Sequence, residues 1–167
     1  MGVILIANLS ANGQVLLAGN PAHAAPPEAL GFFIQKAIEK GNIVIGRKTF
    51  DVLQQFPGGA SQVLPGVEIV LLSTTGAKSD HKVVDSPAKA LDYLHEKGFT
   101  DVIVGGGAGT FNAFLEDGLI TEVYFNTIPM IIGDGGIIGT NDLHMKFEIV
   151  EHKLLTRSIA QIHLNKI

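Results

Sequence analysis

Apolar and polar residues group along the chain in segments that predict alternating strands and helices. Short apolar runs predict buried strands, because a strand covered on both faces needs apolar residues at successive positions. Such runs occupy residues 3–9, 42–45, 67–72 and 102–104, with a short extended segment at 82–84. Residues 121–128 alternate apolar and polar positions and predict a further strand, and residues 147–154 and 159–164 do the same. The last two segments predict an antiparallel hairpin with one covered face.

Helices are predicted between these strands. Apolar residues from Leu30 to Ile38 recur at the spacing of one helix face. This spacing predicts a core-facing helix whose entrance is at Pro26 and Pro27 and which ends near Gly41. Further helices are predicted after Gly46, over residues 86–98, and after the glycines that follow residue 104. Residues 10–27 are rich in Asn, Gly and Pro and predict a long loop, which is a candidate lid.

This order of elements predicts an α/β fold. Strands alternate with helices as far as residue 128, and the hairpin closes the chain. Such alternation is typical of a mainly parallel sheet with helices on both faces, here with an antiparallel edge. We therefore predict a three-layer αβα architecture in one domain that spans residues 1–167, since a chain of this length buries about two-thirds of its surface in one core.

Composition excludes several classes of function. Hydrophobic residues make up 46% of the sequence, and the net charge is −4 with no run of Lys or Arg, so we expect no nucleic-acid partner and no membrane partner. The absence of cysteine excludes thiolate catalysis, and the histidines lack the spacing of a metal site, so we expect no metal. The apolar run at 3–9 is too short to span a membrane and lacks a basic leader; we expect a cytoplasmic protein.

The segment VIVGGGAGTFNAF at residues 102–114 predicts a strand, a glycine turn and the start of a helix. Gly105, Gly106 and Gly107 carry no Cβ, so the backbone can lie against a ligand. The N–H groups at a helix N-terminus favour an anion, which makes a phosphate-bearing ligand the natural occupant. The pattern is equally typical of a strand-to-helix turn that only packs against its neighbours.

A second junction of this kind adds positive charge. The strand at 42–45 leads into Gly46, Arg47, Lys48 and Thr49, which places two cations and a hydroxyl at a predicted helix start. Taken alone, the two cations would be ordinary solvated side chains and the hydroxyl an N-cap. Two such junctions in one small domain favour a ligand with several phosphates, such as a dinucleotide.

Three longer motifs occur in a fixed order: GRKTFDVL at 46–53, LLST at 71–74 and GGGAGTFNAFLEDGLITEVYFNTIPMIIGDG at 105–135. On these motifs nearly the whole chain resembles the dihydrofolate reductase-like superfamily, in particular the branch with the reductase domain of riboflavin biosynthesis and its stand-alone bacterial relatives. The resemblance implies a dihydrofolate reductase-like fold and a reductase that binds NADPH across the C-terminal ends of the strands. The Rossmann pattern GxGxxG does not fit, because Thr110 replaces its third glycine.

The resemblance also implies which residues bind NADPH. They belong to the two glycine junctions, the first strand and the end of the third strand. They are Asn8, Gly46, Arg47, Lys48, Thr49, Leu72, Ser73, Thr74, Gly105, Gly106, Gly107, Ala108, Gly109 and Thr110. By the resemblance, residues 46–49 hold the pyrophosphate and the adenosine 2′-phosphate, and the backbone of Asn8 meets the nicotinamide amide.

The predicted substrate contacts depart from the folate reductases of this superfamily. Ala29 stands where the resemblance implies an acidic residue on the first helix. Glu28 is adjacent, but it falls nearly opposite the apolar face of that helix, so a solvated carboxylate is an alternative interpretation. Phe33, by stacking, and Asn126, by hydrogen bonding, are further candidate contacts for a flat heterocycle; both are also compatible with ordinary core positions. No catalytic residue is predicted.

The sequence also departs from the riboflavin branch. Its Ser-x-Asp-Gly motif reads Ser-Ala-Asn-Gly at residues 10–13, and the only arginines are Arg47 and Arg157, which disfavours a phosphorylated ribosyl substrate. We therefore predict an NADPH-dependent reductase that transfers hydride to a C=N or C=O bond of a small pterin- or pyrimidine-like heterocycle. The alternatives are an inactive NADPH-binding module and a structural or partner-binding protein that keeps only the fold. The resemblance also implies a possible homodimer, for which the terminal hairpin would supply the surface.

Overall fold

One eight-stranded sheet organises the chain in the computed structural model, which describes residues 1–76 and 78–167. The strands are β1 (Gly2–Ser10), β2 (Asn42–Gly46), β3 (Glu68–Leu72), β4 (Lys82–Val84), β5 (Asp101–Val104), β6 (Glu122–Ile128), β7 (Phe147–Thr156) and β8 (Ile159–Lys166). Their order across the sheet is β4-β3-β2-β5-β1-β6-β8-β7. The pairs from β4 to β6 are parallel, whereas β8 is antiparallel to both β6 and β7. This topology confirms the predicted, mostly parallel sheet with an antiparallel C-terminal hairpin.

Helices cover both faces of the sheet. They are α1 (Pro27–Lys40), α2 (Arg47–Gln54), α3 (Ala60–Val63), α4 (Pro87–Glu96) and α5 (Ala108–Glu116), and a short 3-10 helix spans Pro21–His23. The buried residues of α1, α2 and α3 pack on one face, and those of α4 and α5 pack on the other. The three-layer αβα fold is therefore confirmed, although neither α3 nor the 3-10 helix was predicted.

The central strand β1 shows why its sequence is apolar at successive positions. Val3 and Leu5 point into the core on the α4–α5 face, whereas Ile4 and Ile6 point into the core on the α1–α2 face. All four side chains are at most 3% exposed. Alternate residues of a strand lie on opposite faces, so a strand covered on both sides must be apolar throughout.

The C-terminal ends of the parallel strands meet at one edge of the sheet, where β2 and β5 approach each other. The Gly105 N–H donates to the Val44 carbonyl at 2.9 Å, and the Gly46 N–H donates to the Gly106 carbonyl at 2.7 Å. These bonds hold the two glycine junctions side by side. The edge formed in this way is where open α/β sheets bind their ligands.

The C-terminal hairpin departs from the prediction in one respect. Ile159 and Gln161 of β8 are buried, but Ile149 and Leu154 of β7 are 64% and 70% exposed. The helices of the described chain pack mainly against β2, β3, β4 and β5, and β7 packs mainly on β8. The predicted covered face therefore exists for β8 and is wrong for β7, because no helix reaches this end of the sheet among the described residues.

Helix α1 begins and ends as its sequence dictates. Pro27 occupies the first turn, and Glu28 complements the helix dipole there. At the other end, Gly41 adopts φ 76° and donates its N–H to the Ala37 carbonyl at 2.8 Å. This left-handed conformation is the usual glycine cap, which lets the chain turn directly into β2.

We predict opposite effects of alanine at the two glycines of this helix. Gly41→Ala should lower the free energy of unfolding by about 1–2 kcal/mol, because a side chain disfavours the left-handed conformation; its Cβ would also lie 3.1 Å from Phe99 Cε1. Gly31 lies inside the helix with open space around an added Cβ. Gly31→Ala should therefore raise the free energy of unfolding by about 0.5–1 kcal/mol. Urea unfolding measures both, and destabilisation of similar size in the two variants would contradict the assigned cap.

Candidate active site

A cavity of about 460 Å³ opens at the carboxyl edge of the sheet, and its size is typical of small-molecule sites. Ile6 and Asn8 of β1 form its floor, and Gly105, Gly106 and Gly107 form one wall. Helices α1 and α2 and the loop after β1 complete the enclosure, and their lining residues include Leu16, Leu17, Leu30, Phe33, Thr49, Val52, Leu53 and Phe56. The cavity therefore lies where the predicted phosphate-binding junctions meet.

The glycine turn between β5 and α5 is closely packed on its inner side. An added Cβ on Gly105 would overlap the Phe33 ring and lie 2.8 Å from Ile43 Cδ1. Gly106 adopts φ 108°, a conformation that residues with a side chain rarely adopt, and the peptide bond between Gly106 and Gly107 is cis. All three glycines of the turn line the cavity, so their backbone is accessible to a ligand there.

Two helix N-termini converge on this turn. Gly46 is the N-cap of α2 and Gly107 is the N-cap of α5, and within the described chain no side chain caps either helix. The two ends touch, since a Cβ on Gly46 would lie 2.8 Å from Thr110 Oγ1. Uncapped N–H groups at two adjacent helix N-termini form a site suited to a phosphate or pyrophosphate.

The two cations of the second junction lie on the exposed first turn of α2. Arg47 Nε lies 3.5 Å from Asp51 Oδ1, and the two side chains are 53% and 55% exposed. An exposed pair at this distance contributes little stability, so a ligand phosphate can displace the carboxylate at small cost. Lys48 is also exposed, and Thr49 lines the cavity itself.

A second hollow, of about 330 Å³, lies beside α5. Its walls include Ser73 and Thr74 at the end of β3 and Gly109 and Thr110 of α5. The start of α5 therefore borders both spaces, with its glycine turn on the cavity and its first turn on this hollow. The structure thus brings the predicted cofactor residues together along one edge; the remaining members, Leu72 and Ala108, adjoin them.

The loop after β1 folds over the cavity. Val15 forms bridges to Leu9 and to Gly136, and the Leu16 N–H donates to the Asn8 carbonyl at 3.0 Å. Residues 15–21 and 23–26 line the cavity. The predicted loop is thus the cover of the site in this structure, and its opening and closing stay a prediction.

A buried histidine holds this loop in place. His23 is 4% exposed, and its Nδ1 accepts a hydrogen bond from the Leu17 N–H at 2.9 Å. Its Nε2 therefore carries the proton and donates to Asp134 Oδ1 at 2.8 Å. This hydrogen bond lowers the pKa of Asp134 below its ordinary value of 3.8. The pair therefore contributes to stability above that pH, and the contribution is lost as the pH falls through the lowered pKa.

Sequence reasoning missed this role of His23. The signal was a single histidine within a long Pro-rich loop, and the partner Asp134 lies in the glycine-rich loop after β6. Nothing in the spacing of the two residues indicates that the loops meet. Only the parallel pairing of β1 with β6 brings their following loops together.

The predicted substrate contacts separate into three environments. Phe33 lines the cavity, whereas Glu28 is exposed on the first turn of α1, outside the cavity lining. Asn126 is fully buried behind Asn8 and donates to Asn8 Oδ1 at 3.2 Å. Ala29 is also fully buried, in a small apolar cluster with Ile128 and Ile159. The position where the resemblance implied an acid therefore faces apolar side chains.

The cavity is predominantly apolar. Its polar lining residues are Asn8, Asn20, His23 and Thr49, and no Asp, Glu, Lys or Arg side chain of the described residues lines it. Within residues 1–76 and 78–167, no group of three His, Cys, Asp or Glu side chains is arranged to hold a metal ion. None of the helices found there has the length and apolar character needed to cross a membrane.

Solved structures share this architecture over nearly its whole length. A protein from Shewanella sp. PV-4 whose name places it in riboflavin biosynthesis matches with a TM-score of 0.75 at 21% identity, covering 100% of this chain and 99% of its own. A pyrimidine reductase-like protein from Corynebacterium diphtheriae matches with a TM-score of 0.77 at 17% identity, covering 99% and 92%. Dihydrofolate reductase from Enterococcus faecalis, complexed with NADP(H) and the ligand RAB-propyl, matches with a TM-score of 0.73 at 20% identity, covering 99% and 96%.

The sheet order and the match to the dihydrofolate reductase structure show a dihydrofolate reductase-like fold, as the resemblance implied. The RibD C-terminal domain family matches residues 3–160, and the chain belongs to this family. Among curated proteins, none matches the sequence significantly.

We predict that His23→Ala destabilises the loop more than Asp134→Ala does. Without the imidazole, the partly buried Leu17 N–H loses its acceptor, which costs about 1–3 kcal/mol. The Asp134 side chain is 70% exposed, so its removal leaves His23 Nε2 within reach of water and should cost less. Urea unfolding and hydrogen exchange at the Leu17 amide measure the two effects. Unchanged exchange at Leu17 in His23→Ala would show that the histidine does not hold the loop.

Proposed function

We propose that the protein is an NADPH-dependent reductase that transfers hydride to a C=N or C=O bond of a small pterin- or pyrimidine-like heterocycle. The observation that carries this proposal is the convergence of two uncapped helix N-termini on a glycine turn that forms the wall of an apolar cavity. Helix N-termini with free N–H groups suit phosphates, and an apolar cavity suits two stacked flat rings. Membership of the RibD C-terminal domain family supports the same proposal.

The cofactor would bind along the carboxyl edge. The N–H groups at the starts of α2 and α5 would hold the pyrophosphate, and Arg47 with Ser73 and Thr74 would hold the adenosine 2′-phosphate side. Gly105 to Gly107 would lie against the nicotinamide half, because they line the cavity. When bound, NADPH would supply the hydride, and the protein's part would be to hold two rings face to face.

The substrate would be uncharged. A charged group in the cavity would find no opposite charge among the described lining residues, and burial of an unpaired charge is strongly unfavourable. Phe33 offers an aromatic edge beside the glycine turn, and Leu16, Leu17 and Leu30 offer apolar walls. This environment suits a neutral heterocycle and disfavours a phosphorylated sugar.

The proton that accompanies the hydride would come from water. Ala29 has no acidic group to supply it, and Glu28 lies outside the cavity lining. His23 lines the cavity, but both of its ring nitrogens are engaged, with Leu17 and Asp134. The same lack of a positioned acid favours a second candidate function, an NADPH-binding module without turnover.

The exposed hairpin supports a homodimer. Strand β7 is a sheet edge, and its Ile149, Val150 and Leu154 are 64%, 50% and 70% exposed. An edge strand with exposed apolar side chains is normally covered, because open backbone groups and apolar side chains promote association. We propose that a second copy of the chain covers it, and that the protein acts in the cytoplasm.

Nucleotide titration tests the cofactor. We expect wild type to bind NADPH about 10–100-fold more tightly than NADH, because charge-assisted hydrogen bonds to the 2′-phosphate contribute about 1.5–3 kcal/mol. Arg47→Ala should lose most of this preference by weakening NADPH alone. Asp51→Asn is the matched control: it also breaks the Arg47–Asp51 pair but keeps the cation, so NADPH binding should stay equal or tighten. Nicotinamide fluorescence follows each titration.

The outcomes separate the candidate functions. Oxidation of bound NADPH by any member of a panel of uncharged pterins, pyrimidines, flavins and quinones supports the reductase. Tight NADPH binding without turnover favours the binding module. If wild type binds neither nucleotide, both the reductase and the NADPH-binding module are ruled out, and a protein that keeps only the fold remains.

Sedimentation equilibrium tests the dimer. Wild type should sediment at twice its chain mass of 17.7 kDa. Leu154→Lys should sediment as a monomer, because it puts a charge where the interface would bury an apolar side chain. Ile131→Lys is the control, since Ile131 is 82% exposed outside the hairpin. A monomeric wild type, or a dimer that survives Leu154→Lys, would contradict this interface.

A further inference from the structure

A row of three amide side chains crosses the sheet beneath the cavity. Asn8 of β1 is in register with Asn126 of β6, and Asn126 is in register with Gln161 of β8. Asn126 and Gln161 are 0% and 2% exposed, whereas Asn8 lines the cavity. Buried amides are costly unless their hydrogen bonds are made, so this row needs a reason that core packing does not supply.

The hydrogen bonds of the row run in one direction. Gln161 Nε2 donates to Asn126 Oδ1 at 2.8 Å, and Asn126 Nδ2 donates to Asn8 Oδ1 at 3.2 Å. The acceptor of Asn8 is thereby used within the protein. Its Nδ2 makes no hydrogen bond to another of the described residues, although Asn8 reaches the cavity.

We propose that the row fixes Asn8 as a hydrogen-bond donor to a carbonyl oxygen on a flat ring bound in the cavity. Asn8 contacts the ligand, and Asn126 and Gln161 are positioning residues that act through it. The proposal rests on the proposed reductase function, which supplies the ring ligands. It also explains why Asn126, an expected direct contact, lies behind Asn8 instead.

The row makes the donor role of Asn8 specific. An isolated asparagine can rotate its amide and present either its oxygen or its nitrogen to a ligand. Here rotation of Asn8 would place Nδ2 against Asn126 Nδ2, so both amides and then Gln161 would have to turn together. In the orientation that the row has here, the cavity-facing group of Asn8 is a donor, which matches a ring carbonyl and not a ring N–H.

The carbonyl has two possible sources, the nicotinamide carboxamide of the cofactor and the heterocyclic substrate. The reduced 3-acetylpyridine analogue of NADPH distinguishes them, because it keeps the carbonyl but replaces the amide NH₂ by a methyl group. Lumazine, an uncharged pteridine with ring carbonyls, is the probe for the substrate side. Calorimetry measures binding of both nucleotides to the free protein and of lumazine to the protein loaded with NADP⁺.

Asn8→Asp replaces the donor by an acceptor at a half-buried position. Wild type should bind NADPH and the acetylpyridine analogue with similar affinity. In Asn8→Asp, NADPH can turn its carboxamide and donate its NH₂ to the new carboxylate, whereas the analogue has no NH₂ to donate. The substitution should therefore reduce the affinity for the analogue at least about tenfold more than the affinity for NADPH. If the carbonyl belongs to the substrate, the affinity for both nucleotides stays unchanged in Asn8→Asp and the affinity for lumazine falls about tenfold.

Gln161→Glu tests the row without touching the ligand. An ionised carboxylate only accepts, so Asn126 must turn its Nδ2 toward Glu and its Oδ1 toward Asn8, and Asn8 then turns its own Oδ1 to the cavity. This variant should reproduce the discrimination of Asn8→Asp. In Gln161→Met the side chain has a similar size but makes no directional hydrogen bond to Asn126. This variant should be less stable than wild type, yet change the discrimination between NADPH and the analogue less than Gln161→Glu does.

The outcomes keep this proposal separate from the proposed function. If wild type binds neither nucleotide, the reductase proposal fails and the donor role of Asn8 fails with it. If wild type binds them but Asn8→Asp binds both nucleotides and lumazine as wild type does, only the donor role is overturned. A Gln161→Glu variant that loses stability but keeps wild-type discrimination overturns the positioning role.

Discussion

The hydrogen bond from the Gly46 N–H to the Gly106 carbonyl is the contact on which the candidate site depends. It joins the ends of β2 and β5 at the point where each strand turns into a helix. Because both turns are made of glycine, the two helix starts approach until a Cβ on Gly46 would meet Thr110. A phosphate site built from backbone N–H groups needs this proximity, and side chains at either turn would prevent it.

The sequence could predict those features of the fold and site that depend on local patterns. Apolar runs and glycine junctions are local signals, so the strands, the parallel order and the glycine-lined edge were predictable from them. The Asn8–Asn126–Gln161 row and the His23–Asp134 pair join residues 35 to 118 positions apart, and no local pattern encodes such contacts. The exposed β7 was mispredicted for a related reason, since alternation along a strand shows two unlike faces but not whether anything packs on either.

The two halves of the site are stabilised in different ways. Residues near the glycine turn belong to strands and helix starts that the whole core supports, so their geometry is fixed by packing. The opposite side of the cavity consists of the loop after β1, held by a few hydrogen bonds such as that between the Leu16 N–H and the Asn8 carbonyl. Substitutions in that loop can therefore change the cavity while leaving the glycine-lined edge intact.

The contact between His23 and Asp134 has a thermodynamic consequence. It links the loop that covers the cavity to the glycine-rich loop after β6. Backbone hydrogen bonds between Val15 and Gly136 and a bond from the Gly135 N–H to Gln14 Oε1 join the same two loops. Two segments joined in this way form a coupled system, in which a ligand that orders one must favour the ordered state of the other. The coupling is reciprocal: a molecule that strengthens the His23–Asp134 contact from the outer surface changes the affinity of the cavity for its ligand by the same free energy as that ligand changes the affinity for the molecule.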